Sequence, residues 1–202
     1  MISPAMNHNM YHNPIVQDNI RKLERFGYEM IAPDRGMLAN GDDGDGRMPE
    51  PEVLFEYILR ELAFEKDLAG KKVLVTAGAT MEAIDPVRYI TNHSSGKMGC
   101  ALAKAAMQRG AKVTLVAGHM EVLPPMFVDV VNVKSAADMF EAVTKLAPEQ
   151  DIIVKAAAVA DYTPVAVADN KIKKSDDDMK IELKRTQDIL GYLGQHKRDG
   201  QV

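Results

Sequence analysis

Residues 94–97, Ser-Ser-Gly-Lys, stand just ahead of a run of small and apolar residues that reads as a helix. Hydroxyls, a glycine and a lysine at a helix start suit an anion: the first backbone N–H groups are unpaired there, and the helix dipole and the lysine add favourable charge. The same spacing also describes a capped helix with two surface serines. A P-loop needs glycine where Thr91 stands and Ser or Thr where Met98 stands, so that motif is excluded. "TAGATMEAID" lacks the GxGxxG spacing of a dinucleotide loop. A second polar stretch, "AAAVADYTPVAVADNKIKK", offers Asp161 as a hydrogen-bond acceptor or metal ligand and Lys171, Lys173 and Lys174 as phosphate-facing cations. A solvated basic turn, balanced by "SDDDMK", gives the same composition.

Metal chemistry finds little support at this level. "NGDDGDGR" resembles a calcium loop, but Pro51 occupies the twelfth position, where an EF-hand requires a bidentate Glu. One cysteine, Cys100, cannot build a structural zinc site. His8, His12 and His93 are expected to be polar loop residues, and no metal ligand is assigned. No GxSxG elbow is present.

These residues must be positioned by an α/β scaffold. "KKVLVTAG", "KVTLVAG" and "DIIVKAAAV" read as buried strands, separated by helices over "MGCALAKAAMQRGA" and "SAADMFEAVTKLAPEQ", the latter with Ser135 as N-cap. That alternation predicts an open parallel sheet with right-handed crossovers, and ligands in such sheets bind beyond the strands' carboxyl ends. The polar stretch from Gly78 to Lys97 leaves one such end and is too long for a simple connection. A last helix is expected over "TQDILGYLGQHK". Before a polar linker near residues 66–72, "NPIVQDNIRKLERFG" predicts an amphipathic helix ending at Gly27, "YEMIAP" a short strand, residues 36–49 a loop, and "EPEVLFEYILRELAFEK" a second helix.

The chain has 202 residues, 46% hydrophobic and 27% charged, with net charge −4, which predicts a globular protein with no general affinity for nucleic acid. No apolar run is long enough to span a membrane and the start lacks the pattern of a signal peptide, so a cytoplasmic location is expected.

"VTAGATMEAIDPVRYITNHSSGKMG", "KAAAVADYTP", "KIKK" and "TQDIL", in that order, resemble the ligase half of the bacterial bifunctional proteins of coenzyme A biosynthesis, which join phosphopantothenoylcysteine decarboxylase to phosphopantothenate–cysteine ligase. "SPAMNHNMY" and "ANGDDGDGRM" resemble the end of the decarboxylase half. The resemblance implies residues 1–66 as the C-terminal part of a flavodoxin-like flavoprotein domain, 67–72 as linker, and 73–202 as a Rossmann-like, C-terminally shortened ligase domain. It implies CTP-dependent joining of 4′-phosphopantothenate to cysteine through an acyl-cytidylate, with Mg²⁺ beside the triphosphate, in a homo-oligomer such as the ligase dimer. The alternative is a catalytically incomplete fragment acting as a nucleotide-binding or assembly module.

By the same resemblance, Asn92 holds the intermediate and Lys171 is the catalytic cation. Ser94, Ser95, Gly96, Lys97, Ala157, Ala158, Asp161, Gln187, Asp188, Ile189 and Leu190 line the nucleotide, with Gln187 replacing the family's proline. Asn7 matches a decarboxylase position that contacts the substrate carboxylate. Asn40 stands where the decarboxylase flap carries an acidic cysteine; an amide has no proton of suitable acidity, so no decarboxylation is expected. FMN is implied for the full-length decarboxylase half, without tight binding to this chain.

Overall fold

The computed structural model describes residues 1–174 and 178–202; the first half of the acidic "SDDDMK" run, residues 175–177, lies outside them. Contacts divide the chain into two compact units, Met1–Leu59 and Arg60–Val202.

In the first unit, helix α1 (His8–Tyr11) is capped by Asn7, and helix α2 (Pro14–Arg25) starts from Asn13, whose side chain accepts from Ile15 N at 2.9 Å. Pro14 suits the first helical position because its missing N–H would be unpaired there anyway. Gly27, at φ +85°, turns the chain out of α2, as its place after the apolar stripe predicts. The expected strand over "YEMIAP" is absent: only an isolated parallel bridge joins Met30 to Ile2, and one bridge does not make a ladder. The expected loop over 36–49 is instead largely an antiparallel hairpin of β1 (Asp34–Met37) and β2 (Asp43–Arg47). Gly and Asp disfavour strands by propensity, but cross-strand hydrogen bonds use only the backbone, and Gly41 at φ +85° supplies the tight reversal. Helix α3 (Pro51–Leu62) begins in this unit and runs past its last residue, Leu59.

In the second unit, β3 (Lys72–Ala77) is followed by a short antiparallel pair, β4 (Met81–Ala83) and β5 (Tyr89–Thr91), then α4 (Lys97–Gln108), β6 (Lys112–Ala117), β7 (Asp129–Asn132), α5 (Ala136–Leu146) with a trailing 3₁₀ turn, and β8 (Ile152–Lys155). A second antiparallel pair, β9 (Tyr162–Pro164) and β10 (Leu183–Arg185), precedes α6 (Ile189–Gln195). The parallel sheet has the order β7-β6-β3-β8, so the expected α/β fold is present with one additional strand, β7. Strand β3 is buried on both faces. Val73, Val75 and Ala77 pack with Cys100, Ala103 and Met107 of α4, while Leu74 packs with Met139 and Val143 of α5 and Ile189 of α6. The two-residue period of the strand therefore sends alternate side chains to helices on opposite faces. Leu74 is fully enclosed, and burying such a side chain stabilises the fold by about 1.5–3 kcal/mol.

Among the described residues, no helix is long and apolar enough to cross a membrane.

Candidate ligand site at the sheet's carboxyl ends

The carboxyl ends of β3, β6 and β8 are stitched together by backbone contacts. Ala79 bridges both His119 and Ala158, and Ala158 N donates to Gly78 O at 2.8 Å. The approach is too close for a side chain at Gly78, where a Cβ would stand 2.4 Å from His119 O. Buried hydroxyls complete the join. Thr76 Oγ1 accepts from Ala156 N and Ala157 N at 3.1 Å each, and Thr80 Oγ1 accepts from Ala160 N at 2.9 Å. Thr186 Oγ1 donates to Ala160 O at 2.7 Å, which ties the segment before α6 to the same turn.

Asn92 reaches across to this turn, its Nδ2 donating to Ala158 O at 3.4 Å and Val159 O at 3.3 Å. Both amide donors thus face backbone, and the carboxamide oxygen is free to accept, since no partner for it occurs among the described residues. Ser94 and Ser95 are half-buried; Gly96 adopts φ +78° as the N-cap of α4, with Lys97 exposed as the first helical residue. Gly96 offers no capping side chain, and the nearest hydroxyl, Ser95 Oγ, stands 3.5 Å from Lys97 N. By contrast, α5 has a complete Ser135–Asp138 capping box and α6 is capped by Asp188, whose Oδ1 accepts from Gly191 N at 2.9 Å. The start of α4 is therefore the one of these three with its N–H groups most available to an anion.

Of the expected site residues, the structure brings Asn92 onto Ala158, while Ala157 N bonds Thr76 Oγ1 and the Asp161 carbonyl accepts from Thr186 N at 2.9 Å in the turn that follows. Ile189, expected to line a ligand, is 1% exposed and belongs to the core, because α6 turns its apolar face to the sheet. Leu190 is exposed and shares a small groove with Lys155 and Lys197. Gln187 lines a groove with Arg88, Lys134 and Lys184. Lys171 lines another, of about 1290 Å³, with Arg88, Lys173 and Lys180; neither Asn92 nor Ser94–Lys97 is among the described residues lining it. In the first unit, Asn7 Oδ1 accepts from Asn9 N at 2.9 Å, and Asn40 sits at the hairpin tip with its Nδ2 donating to Asp42 Oδ2 at 2.5 Å.

Two features escape single-residue reading. The buried Asp85 carboxylate accepts from Arg88 and from Ile172 N at 3.1 Å, while Arg88 donates to Ile172 O at 2.9 Å, so one ion pair grips both backbone groups of the residue after Lys171. The i,i+3 spacing in "DPVR" is its only sequence signal. Arg88 holds the Asp85 carboxyl well below the usual carboxylate range, chiefly by hydrogen bonding. Lys155, at the end of β8, is pushed down by desolvation, with Asp188 opposing the shift.

With this geometry in place, comparison with known proteins gives the family. The DNA/pantothenate metabolism flavoprotein C-terminal domain matches residues 68–202, and the Flavoprotein family matches residues 1–63. The coenzyme A biosynthesis bifunctional protein CoaBC of Haemophilus influenzae is 47% identical over 196 residues, covering 97% of this chain and 49% of that protein. Its counterpart in Bacillus subtilis is 49% identical over 201 residues, covering 98% and 50%. The chain spans about half the length of these curated relatives. The solved C-terminal domain of a CoaBC protein superposes with a TM-score of 0.58 at 49% identity, over 67% of this chain and 63% of that one. The Streptococcus pneumoniae DNA/pantothenate metabolism flavoprotein gives 0.56 at 26%, over 63% and 66%.

These findings correct the expectation drawn from the resemblance. Both matched families are described as flavoproteins, and none of these descriptions names a ligase, CTP or a cytidylate. The assignment of the second part as a Rossmann-like ligase half, the CTP-dependent reaction, and CTP and Mg²⁺ as its nucleotide and metal are therefore withdrawn; the parallel sheet and the flavoprotein character stand. The match over 68–202 covers well over half of the sequence, and the chain belongs to the DNA/pantothenate metabolism flavoprotein C-terminal domain family.

Proposed function

We propose that this chain is part of a flavoprotein of coenzyme A biosynthesis, and that the carboxyl ends of its parallel sheet bind a phosphorylated pantothenate derivative such as 4′-phosphopantothenate. The observation that carries this reading is the uncapped start of α4, with Lys97 at its first position. A phosphate ester there receives N–H donors and a cation together. Asn92, fixed against Ala158 and Val159, leaves its carboxamide oxygen for the hydroxyl or amide N–H groups of the pantothenate body.

FMN association is supported by the Flavoprotein match over residues 1–63. The residues present fit a polar cofactor: Ser3 Oγ is buried with no hydrogen-bond partner among the described residues, and such an orphan is satisfied when a ligand brings a polar edge to it. FMN, when bound, supplies electron-transfer chemistry; the part of this chain's own residues is to bind and orient.

Calorimetric titration with 4′-phosphopantothenate and with pantothenate tests the site. The phosphorylated compound is expected to bind about tenfold tighter or better, an advantage lost in Lys97→Ala, since a charge-assisted hydrogen bond contributes about 1.5–3 kcal/mol. Equal affinity for the two compounds would refute the phosphate site.

A further inference from the structure

We propose that His8, His12 and Asp45 form a binding site for a borderline-soft divalent transition metal such as Zn²⁺. Each of the three offers one ligand atom, and these atoms lie within 4.8 Å of one another. His8 and His12 stand four apart in "HNMYH", the spacing that puts two side chains on one face of a helical turn. The expectation of polar loop residues with no paired spacing is therefore corrected: "HNMYH" is an HxxxH pair, and His8 lies in α1 rather than in a loop. Their turn is short, but His12 N donates to His8 O at 3.0 Å, which holds the two residues at helical separation.

Asp45 comes from β2, far along the chain, and its position is fixed independently of any metal. Met6 N donates to Gly46 O at 3.0 Å, and Asp45 N donates to His8 Nδ1 at 3.1 Å. Gly46 and Gly44 permit this closeness. A Cβ at Gly46 would stand 2.0 Å from Met6 O, and one at Gly44 would stand 2.8 Å from the His8 ring. Strand β2 therefore lies directly on the segment that carries the histidines, and the His8 ring is confined against it. The Asp45 N–H donates to His8 Nδ1, so that nitrogen is unprotonated, as a metal ligand must be. His12 Nε2 is 2.8 Å from Asp45 Oδ2, so the third ligand is already beside the second. On binding, the metal displaces the Asp45 N–H from His8 Nδ1 and takes the place of the His12–Asp45 hydrogen bond.

The donor set decides the class of ion. Two imidazoles and one carboxylate favour Zn²⁺, Co²⁺ or Ni²⁺, whereas Ca²⁺ and Mg²⁺ require oxygen-rich shells of six or more ligands. Three protein ligands also leave a position for water or a small ligand. Because the ligands belong to α1, its C-cap and β2, the ion fastens the hairpin to the chain's first helix, and binding to the folded state alone raises its stability.

The test is titration of the full chain with Zn²⁺, and separately with Mg²⁺, in a chelator-free, phosphate-free buffer, read by calorimetry, with Co²⁺ substitution read by its visible absorption. One Zn²⁺ per chain is expected, with no comparable heat from Mg²⁺. His12→Ala, at an exposed position, is expected to weaken Zn²⁺ binding about tenfold or more, and Asp45→Ala likewise. His93→Ala and His196→Ala, away from the cluster, are expected to leave it unchanged. Absence of Zn²⁺ binding, or Zn²⁺ binding that survives His12→Ala at full affinity, would overturn the proposal and leave the three residues as a hydrogen-bonded group only.

Discussion

The Asp85 carboxylate accepts from Val87 N and Arg88 N at 2.8 Å, from the Arg88 guanidinium and from Ile172 N, so nearly all its acceptor capacity is used. These partners favour the charged form, which is why its pKa is depressed. A depressed carboxylate contributes stability that is fully present above its unfolded value, about 3.9, and fades as the pH falls towards the folded value. Asp85→Asn is therefore expected to lower the unfolding midpoint at pH 7, with the gap from wild type narrowing below about pH 4; a gap constant from pH 7 to 3 would contradict the ion-pair account. Thr76 illustrates a neutral version of the same principle. Its enclosed hydroxyl accepts from two backbone N–H groups, and Thr76→Val leaves Ala157 N without its partner. A cost of about 1–3 kcal/mol is expected in denaturant unfolding, where Thr76→Ser should recover most of it.

At the scale of elements, Gly99 sets how closely α4 approaches β3. A Cβ there would stand 2.5 Å from Ala77 Cβ and 2.9 Å from Thr76 O, both on a rigid strand. Gly99→Ala must push the helix outward and is expected to cost about 1–3 kcal/mol despite alanine's better helix propensity. Ser135→Ala, which removes one half of the capping box of α5, should cost about 0.5–2 kcal/mol in the same measurement. Elements with a strong side-chain signature are legible in the sequence: β3, β6 and β8 as apolar runs, α2 and α3 as stripes, Ser135 as a cap. The pairs β1–β2, β4–β5 and β9–β10 are not, because they are held by backbone pairing among polar or short segments. Strand β7 escapes for another reason. "DVVN" is too short and too exposed to read as a core strand, and it exists because β6 presents an open edge. The candidate site follows the same division. The Ser94–Lys97 turn stands out by composition and Asn92 by the family resemblance, while the threonines that join the strand ends, the Asp85–Arg88 grip and the placing of Asp45 beside the histidine pair become visible only when distant segments are brought together.

For the whole molecule, the two compact units differ in how much apolar surface they enclose. Among the described residues, the buried hydrophobic side chains of the first unit reduce to Ile31, and α2 and α3 bury none of their residues. The second unit has two interleaved clusters, with Leu74, Leu115, Met139 and Val143 fully enclosed. Burial of apolar surface is the main favourable contribution to folding, and local opening is easiest where it is smallest. Hydrogen exchange should therefore be graded along the chain. Amides of β3 and β6, paired on a fully buried strand, are expected to exchange slowest and to report global unfolding. Those of α2, which has half-buried but no fully buried residues, should exchange faster by about two orders of magnitude or more, corresponding to a difference of about 3 kcal/mol in opening free energy. Exchange followed by mass spectrometry on peptides covering 14–25, 72–77 and 112–117 reads both groups in one experiment. Protection of 14–25 equal to that of 72–77 would mean that the chain unfolds as one cooperative body, and that the thin apolar interior of the first unit does not limit its stability.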